Sequence, residues 1–355
     1  MKGKLLVLFG IVGVFFCGCG RVEILSAKGP LLQEGNYVHI PGPNPAIICG
    51  EEGTWDDRAL ESSDCFKDNG TYYWYYHAFD QPSLQECYYR LGVATAPTPL
   101  GPWTRYSGNP ILEKSKKSWE DRWVACAMVI KEGDMYYMFY NSSDIDWVYR
   151  ICLATAKHPL GPWKKYQGNP IIDHENFGYI GGVVKYKGKF LLYATNPNEI
   201  QGDYGRMYLA TADSPEGPWE THPKPVFSEG PKGAWDEGAF SEFEVLNYNG
   251  MLHAFYGACK IDSGRTESIG YAYSTDGIDW TRFEGNPVAK IDKVLNASAF
   301  AEVHAVIDYP KIYLYHTLRY FDSPPWYPAD WCGTDSPDVC LDVEDLGIQV
   351  IQIKK

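Results

Sequence analysis

Five times along the chain an apolar segment, a tight turn and an aromatic segment follow one another: "CFKDNGTYYWYYH" from Cys65, "MVIKEGDMYYMFYN" from Met128, "VVKYKGKFLLYAT" from Val183, "FEVLNYNGMLHAFYG" from Phe243 and "VHAVIDYPKIYLYH" from Val303. Runs of β-branched and aromatic residues broken by a turn predict a β-hairpin at each place. An Ala-Thr/Ser segment follows most of them ("GVATA", "CLATA", "YLATA", "YAYST"), and then a signpost ending in tryptophan: "LGPW" at Trp103, "LGPW" at Trp163, "EGPW" at Trp219 and "DGIDW" at Trp280. A second signpost comes next, as "NPAII" at Asn44, "NPILE" at Asn109, "NPIID" at Asn169, "KPVFS" at Lys224 and "NPVAK" at Asn286. A period of about 55 to 65 residues is the mark of a repeated structural module.

Each repeat supplies about four antiparallel strands, which is one propeller blade. Five repeats predict an all-β fold, a five-bladed β-propeller of four-stranded antiparallel blades around a central channel. It would occupy residues 41–355 as a single domain, with the terminal "LGIQVIQIKK" as a last strand and one chain end completing the last blade. The two signposts and most of the aromatics then read as turn and packing residues.

Composition supports this picture, because 12 Trp, 27 Tyr, 15 Phe, 24 Pro and 35 Gly favour short strands and tight turns over long helices. A net charge of −13 argues against a nucleic-acid partner, since phosphate backbones are held by clustered Lys and Arg. At the N-terminus Lys2 and Lys4 precede an apolar run from Leu5 to Phe16 and then "CGCG". That pattern predicts an export signal over residues 1–19 with lipid attachment at Cys19, a linker over 20–40, and a periplasmic or cell-surface lipoprotein of a bacterium. The membrane is met only through the lipid. Eight further cysteines are too sparse for a disulfide scaffold. Cys332 and Cys340 are the best local pair, whereas Cys126 and Cys152 read as small core residues.

Subtracting what blade architecture needs leaves acids at the entrances of inner strands, where side chains from different blades converge and perturb one another's ionisation. With Tyr72, Tyr136, Phe190, Leu252 and Ile312 as equivalent positions, ten residues upstream lie Ser62, Cys126, Ile180, Glu242 and Glu302. Eight upstream lie Asp64, Met128, Gly182, Glu244 and His304, on the same face if side chains alternate with period two. A second set of acids sits in "TWDDR" (54–58), "SWEDR" (118–122) and "AWDEG" (234–238). There is no Gly-rich phosphate loop, no HExxH and no serine nucleophile elbow.

This combination of Asn-Pro, an acid-bearing inner strand, a Gly turn, "YY(M/W)(F/Y)Y" and Gly-Pro-Trp resembles the five-bladed propeller glycoside hydrolases, a superfamily that includes the arabinanase and β-xylosidase family 43, invertases and neoagarobiose hydrolases. The resemblance implies a carbohydrate substrate and catalysis by a base, a general acid and an acid-orienting Asp; no cofactor is required, and the channel leaves room for a structural cation. Residue by residue it implies Glu242 as acid, Asp64 as base and Asp121 as orienting carboxylate. Glu302 is the rival for the acid, with His304 sharing proton transfer, and Glu61 is the rival for the base. Trp55, Asp57, Arg58, Glu61, His77, Arg122, Trp123, Glu244 and His304 are the expected substrate-binding residues. Blades two and three bring no acid to this depth, a wider spacing closer to the neoagarobiose hydrolases. The alternatives are a glycoside phosphorylase of the same fold and a non-catalytic carbohydrate-binding propeller.

Overall fold

In the computed structural model, which describes residues 29–80, 88–196, 206–260, 266–291, 297, 299–320 and 343–354, the five hairpins are the inner strands of five blades, of which the first and fifth are joined by one parallel bridge, Ala59–Glu344, and no α-helix occurs among the described residues. Blade one is β2 (Ala59–Asp68), β3 (Thr71–Phe79), β4 (Arg90–Ala96) and β5 (Thr104–Arg105). Blade two is β6 (Trp123–Glu132), β7 (Met135–Ser143), β8 (Tyr149–Ala156) and β9 (Lys164–Lys165). Blade three is β10 (Tyr179–Tyr186), β11 (Lys189–Thr195), β12 (Met207–Ala212) and β13 (Glu220–Thr221). Blade four is β14 (Ala239–Tyr248), β15 (Met251–Cys259), β16 (Ser268–Ser274) and β17 (Thr281–Arg282), with β18 (Ala289–Lys290) also pairing β16.

Blade five joins the two ends of the chain. Strands β19 (Ala299–Asp308), β20 (Lys311–Tyr320) and β21 (Val343–Ile353) take β1 (Tyr37–Pro41) as their fourth member, paired with β21 from Tyr37–Ile353 to Pro41–Gln349. The inner strands β2, β6, β10, β14 and β19 lie side by side in that order, and β19 returns to β2. The expected five-bladed propeller and its closure by a chain end are therefore present. The expected linker over 20–40 differs in its second half: Leu32 is fully buried in the core of blades four and five, and the Leu31 N–H donates to the Tyr271 hydroxyl at 3.0 Å. The export signal, Cys19, the Cys332–Cys340 pair and the rest of residues 321–342 lie outside the described residues.

The repeated residues form a repeated set of staples. In each of three blades the first acid after the loop tryptophan is buried and meets both a tyrosine of the second strand and a cation of the outermost strand. Asp56 accepts from Tyr76 at 3.3 Å and Arg105 at 2.9 Å, Glu120 from Tyr140 at 3.2 Å and Lys165 at 3.0 Å, and Asp236 from Tyr256 at 3.2 Å and Arg282 at 2.8 Å. Trp55 and Trp235 stack on Tyr76 and Tyr256. Gly92 and Gly270 make room for them, since a Cβ at either would fall 2.8 Å from the indole. Trp55 is thus a packing residue, and in blade two buried Cys152 takes the glycine's place. The Asn of each Asn-Pro signpost hooks the third strand by accepting from its N–H: Asn109 from Val93 at 3.0 Å, Asn169 from Leu153 at 2.8 Å and Asn286 from Tyr271 at 2.8 Å. The tryptophan signpost joins blades, because its loop carbonyls accept from a tyrosine of the preceding blade: Pro159 from Tyr75, Gly277 from Tyr193 and Pro99 from Tyr315, each at 2.9 Å.

Candidate active site

Every inner strand carries one extra residue in its pairing with the second strand. The register shifts between Ser62 and Asp64, Ala125 and Met128, Ile180 and Gly182, Ser241 and Glu244, and Ala301 and His304. A β-bulge of this kind re-aims a side chain and ends simple alternation. In three blades the bulged residue is in the left-handed region, which non-glycine residues seldom occupy: Cys126 at φ 48°, Glu242 at 34° and Glu302 at 44°. The residues ten and eight positions before the aromatic register do not share one face, contrary to the period-two expectation, and the acids fall into two groups. Cys126 is a channel-wall residue at the place Glu242 and Glu302 occupy, its Sγ 4.0 Å from His77 Nε2, and not the core residue expected.

The deeper group is Asp64, Glu244 and His304, all buried, with one ligand-type atom from each within 4.8 Å of the others. His304 Nδ1 lies 3.2 Å from Glu244 Oε2, and Asp64 Oδ2 accepts from the Val129 N–H of blade two at 2.8 Å. Burial raises Asp64 to about 7, with Glu244 pushing the same way and His304 opposing. Burial also holds Glu244 well above the usual carboxylate range. It lowers His304 to about 4 against the pull of Asp64 and Glu242. Two carboxylates and an imidazole within this reach are a donor set for a divalent cation.

The second group stands one bulge nearer the strand entrances and is organised by Arg319, near the end of β20. Its guanidinium lies 3.3 Å from Glu302, 3.9 Å from Glu61 and 2.6 Å from Glu344 on β21. Glu61 is fixed further by the Tyr89 hydroxyl at 2.5 Å and by His77 Nε2 at 3.2 Å, while Ser63 Oγ is 2.9 Å from His77 Nδ1. Burial alone would raise the Glu61 pKa, but His77, Arg319 and Tyr89 together hold it down at about 2. Glu302 goes the other way: burial raises it well above the usual range, Arg319 opposes, and the charges of Glu61 and Glu242 add to the rise. Its Oε2 is buried without a hydrogen-bond partner. Glu242 is half-buried, the most open of these acids. Neighbouring carboxyls whose environments push their ionisation apart can divide acid and base roles between them.

The remaining expected residues sit as follows. Asp57 is buried, its carboxylate accepting from the Gly53 N–H at 2.6 Å, with burial raising its pKa; Arg58 is half-buried and its N–H pairs with the Phe79 carbonyl. Asp121 accepts from the Ile145 N–H at 3.2 Å, in the loop between β7 and β8. Arg122 lies over the Trp147 and Trp123 rings, and Trp123 is buried at the start of β6. His77 belongs to the entrance group, whereas His316 is packed against Phe300 and Gln349, burial lowering its pKa to about 3. Sequence reasoning missed Tyr89, Arg319 and Glu344. A charged residue within the otherwise buried run "YLYHTLRY" was the available signal for Arg319.

No family model matches the chain, and no curated protein matches it in sequence. Solved structures match in fold. One comes from the GH130 family of mannoside phosphorylases, a family that contains glycoside hydrolases targeting β-1,2 mannosidic linkages in Candida mannan (15% identity, 90% of this chain and 95% of that one, TM-score 0.65). Another is a family 117 glycoside hydrolase from the marine bacterium Zobellia galactanivorans (16% identity, 90% and 91%, TM-score 0.58). A third is a thermostable family-43 glycoside hydrolase (19% identity, 85% and 96%, TM-score 0.54). The fold is that of the five-bladed propeller glycosidases and the related phosphorylases.

Proposed function

We propose that the chain is a glycoside hydrolase that cleaves terminal residues or short oligosaccharides derived from polysaccharides at the entrance of its central channel. One observation carries this reading: Glu242 and Glu302 occupy the same left-handed bulge position on adjacent inner strands, β14 and β19. A conformation that β-strands avoid is used to aim two carboxyls at one place. Glycoside hydrolysis needs a protonated carboxyl at the leaving oxygen and an ionised one for water or the anomeric carbon. Glu302, held protonated by burial and its acidic neighbours, takes the first role. Glu242, the most open of the group, takes the second. Glu61 stays ionised and, with Arg319, keeps Glu302 in position. The acid is thereby moved from Glu242 to its sequence rival Glu302, and the base from Asp64 to Glu242, because Asp64 lies in the deeper group and is tied to Val129. A phosphorylase would need free cationic groups for phosphate, and Arg319 is already shared among three carboxyl groups, those of Glu61, Glu302 and Glu344. The reading includes export and lipid attachment at Cys19, supported by Lys2, Lys4 and the apolar run after them.

The test is hydrolysis of aryl glycosides and plant-, algal- and yeast-type oligosaccharides by the soluble form lacking residues 1–19, beside Glu302→Gln and Glu242→Gln. Glu302→Gln is expected to lose about 10²–10⁴-fold on sugar leaving groups, the usual worth of a general acid, and to recover most of it on 2,4-dinitrophenyl glycosides, which need no acid. Glu242→Gln is expected to fail on both. Equal losses of Glu302→Gln on the two leaving groups would remove the acid assignment, and sugar 1-phosphate formed on adding phosphate would replace hydrolysis with phosphorolysis.

A further inference from the structure

At Lys117 blade two departs from the repeat, and the departure leads to a surface loop that connects to the proposed catalytic group. In blades one and four the second acid of the "W-acid-acid" motif turns back to cap a glycine N–H, Asp57 on Gly53 and Glu237 on Gly233. Blade two has Lys117 where those glycines stand, and Asp121 instead reaches the backbone of Ile145 in the β7–β8 loop. That loop is tightly determined. Asp144 accepts from the Asp146 and Val148 N–H groups at 3.0 and 2.9 Å and pairs with Arg150 at 2.8 Å. Trp147 is held at φ 63°, its N–H on the Asp144 carbonyl. The loop nevertheless presents Ile145, Trp147 and Val148 to solvent, 65%, 39% and 43% exposed. A fixed loop with an exposed indole is a surface built for contact, since apolar side chains so constrained gain nothing for the fold by facing water.

The indole is connected to the proposed chemistry. Trp147 meets the buried Trp123 edge-on at 4.9 Å, Trp123 meets Tyr89 at 5.5 Å, and the Tyr89 hydroxyl holds Glu61. The Arg122 guanidinium lies 3.7 Å from the centre of the Trp147 ring, backing it with a cation. We infer that Trp147 is the stacking platform for a sugar ring beyond the one that is cleaved, so that the site binds oligosaccharides in preference to monosaccharides. Sugar rings carry an apolar C–H face that an indole covers and hydroxyls that Arg122 can meet at the rim. Asp121 is then a positioning residue for the loop. The inference rests on the hydrolase reading for the identity of the occupant.

The experiment is calorimetric titration of the Glu302→Gln chain with arabino-, xylo-, neoagaro- and β-1,2-manno-oligosaccharides from mono- to tetrasaccharides, beside the same chain carrying Trp147→Ala or Trp147→Phe. One series is expected to bind about tenfold tighter once the second ring is present, the scale of a single aromatic contact. Trp147→Ala abolishes that gain and leaves the monosaccharide affinity, and Trp147→Phe retains most of it. Length-dependent binding that survives Trp147→Ala, binding without length dependence, or no binding in any series overturns the inference. Turnover by the parent is read separately. A parent that binds through Trp147 and cleaves nothing overturns the hydrolase reading and supports the platform; a parent that cleaves while Trp147→Ala is indifferent to length overturns the platform alone.

Discussion

Blades two and four are alike at their outer edges and unlike at the channel. Both fasten a buried acid to a tyrosine and an outer-strand cation, Glu120 to Tyr140 and Lys165 in one, Asp236 to Tyr256 and Arg282 in the other. At the inner bulge one carries Cys126 and the other Glu242, in the same left-handed conformation. The staple answers to a need these two blades share, an outermost strand of two residues that cannot hold itself. The bulge answers to the channel, where the blades meet and where repetition would bring like charges together. Fold and chemistry are thus written in different strands of the same blade.

The largest effect that sharpens this contrast is on rate. Glu302→Gln loses about 10²–10⁴ in turnover of oligosaccharides while its melting temperature holds, because a carboxyl already held protonated by burial is replaced by a neutral amide of similar shape. Asp236→Ala does the reverse. It removes the carboxylate that Arg282 and Tyr256 share and is expected to cost about 1–3 kcal/mol in denaturant titration, with turnover per folded molecule unchanged. Next comes Gly92→Ala, whose methyl would meet Trp55 and Tyr76, costing about 1–3 kcal/mol. Cys126→Gly is smallest: glycine accepts the positive φ without strain, so stability is kept or rises by up to about 1 kcal/mol.

Stability against pH separates the two groups of acids. Asp64 has its folded-state pKa raised to about 7, so the stability it contributes is complete below its unfolded value and is lost as pH rises through 7. Glu61 is lowered to about 2, so its contribution is present above its unfolded value and is lost as pH falls toward 2. Asp64→Asn should therefore flatten the decline in melting temperature between pH 5 and 8, and Glu61→Gln should flatten the decline on the acid side. A parent profile unchanged by either substitution would contradict these assignments.

The frame was legible because it is local. Gly70, Gly133, Gly188 and Gly250 mark the hairpin turns, and Tyr72, Tyr136, Phe190, Leu252 and Ile312 are equivalent in the pairing, as the sequence register has them. The site was legible in its residue types and not in its grouping. One extra residue per inner strand breaks the alternation that placed Glu242 beside Glu244 and Glu302 beside His304, and a bulge leaves no periodic trace in sequence. Arg319, Glu344 and Tyr89 come from second and third strands or their approaches, which an inner-strand register does not reach. Asp121 matched the blade motif in sequence, yet the missing glycine at Lys117 sends it to the Trp147 loop.

Everything in the proposed chemistry turns on Glu302, aimed from its bulge, being held protonated by burial at the pH where its neighbour Glu61 is ionised. Difference infrared titration of the parent against Glu302→Gln measures this directly. At neutral pH the parent is expected to show a protonated carboxyl band that the variant lacks, persisting above the pH at which ordinary glutamates ionise. A difference spectrum at neutral pH showing only an ionised carboxylate would contradict it.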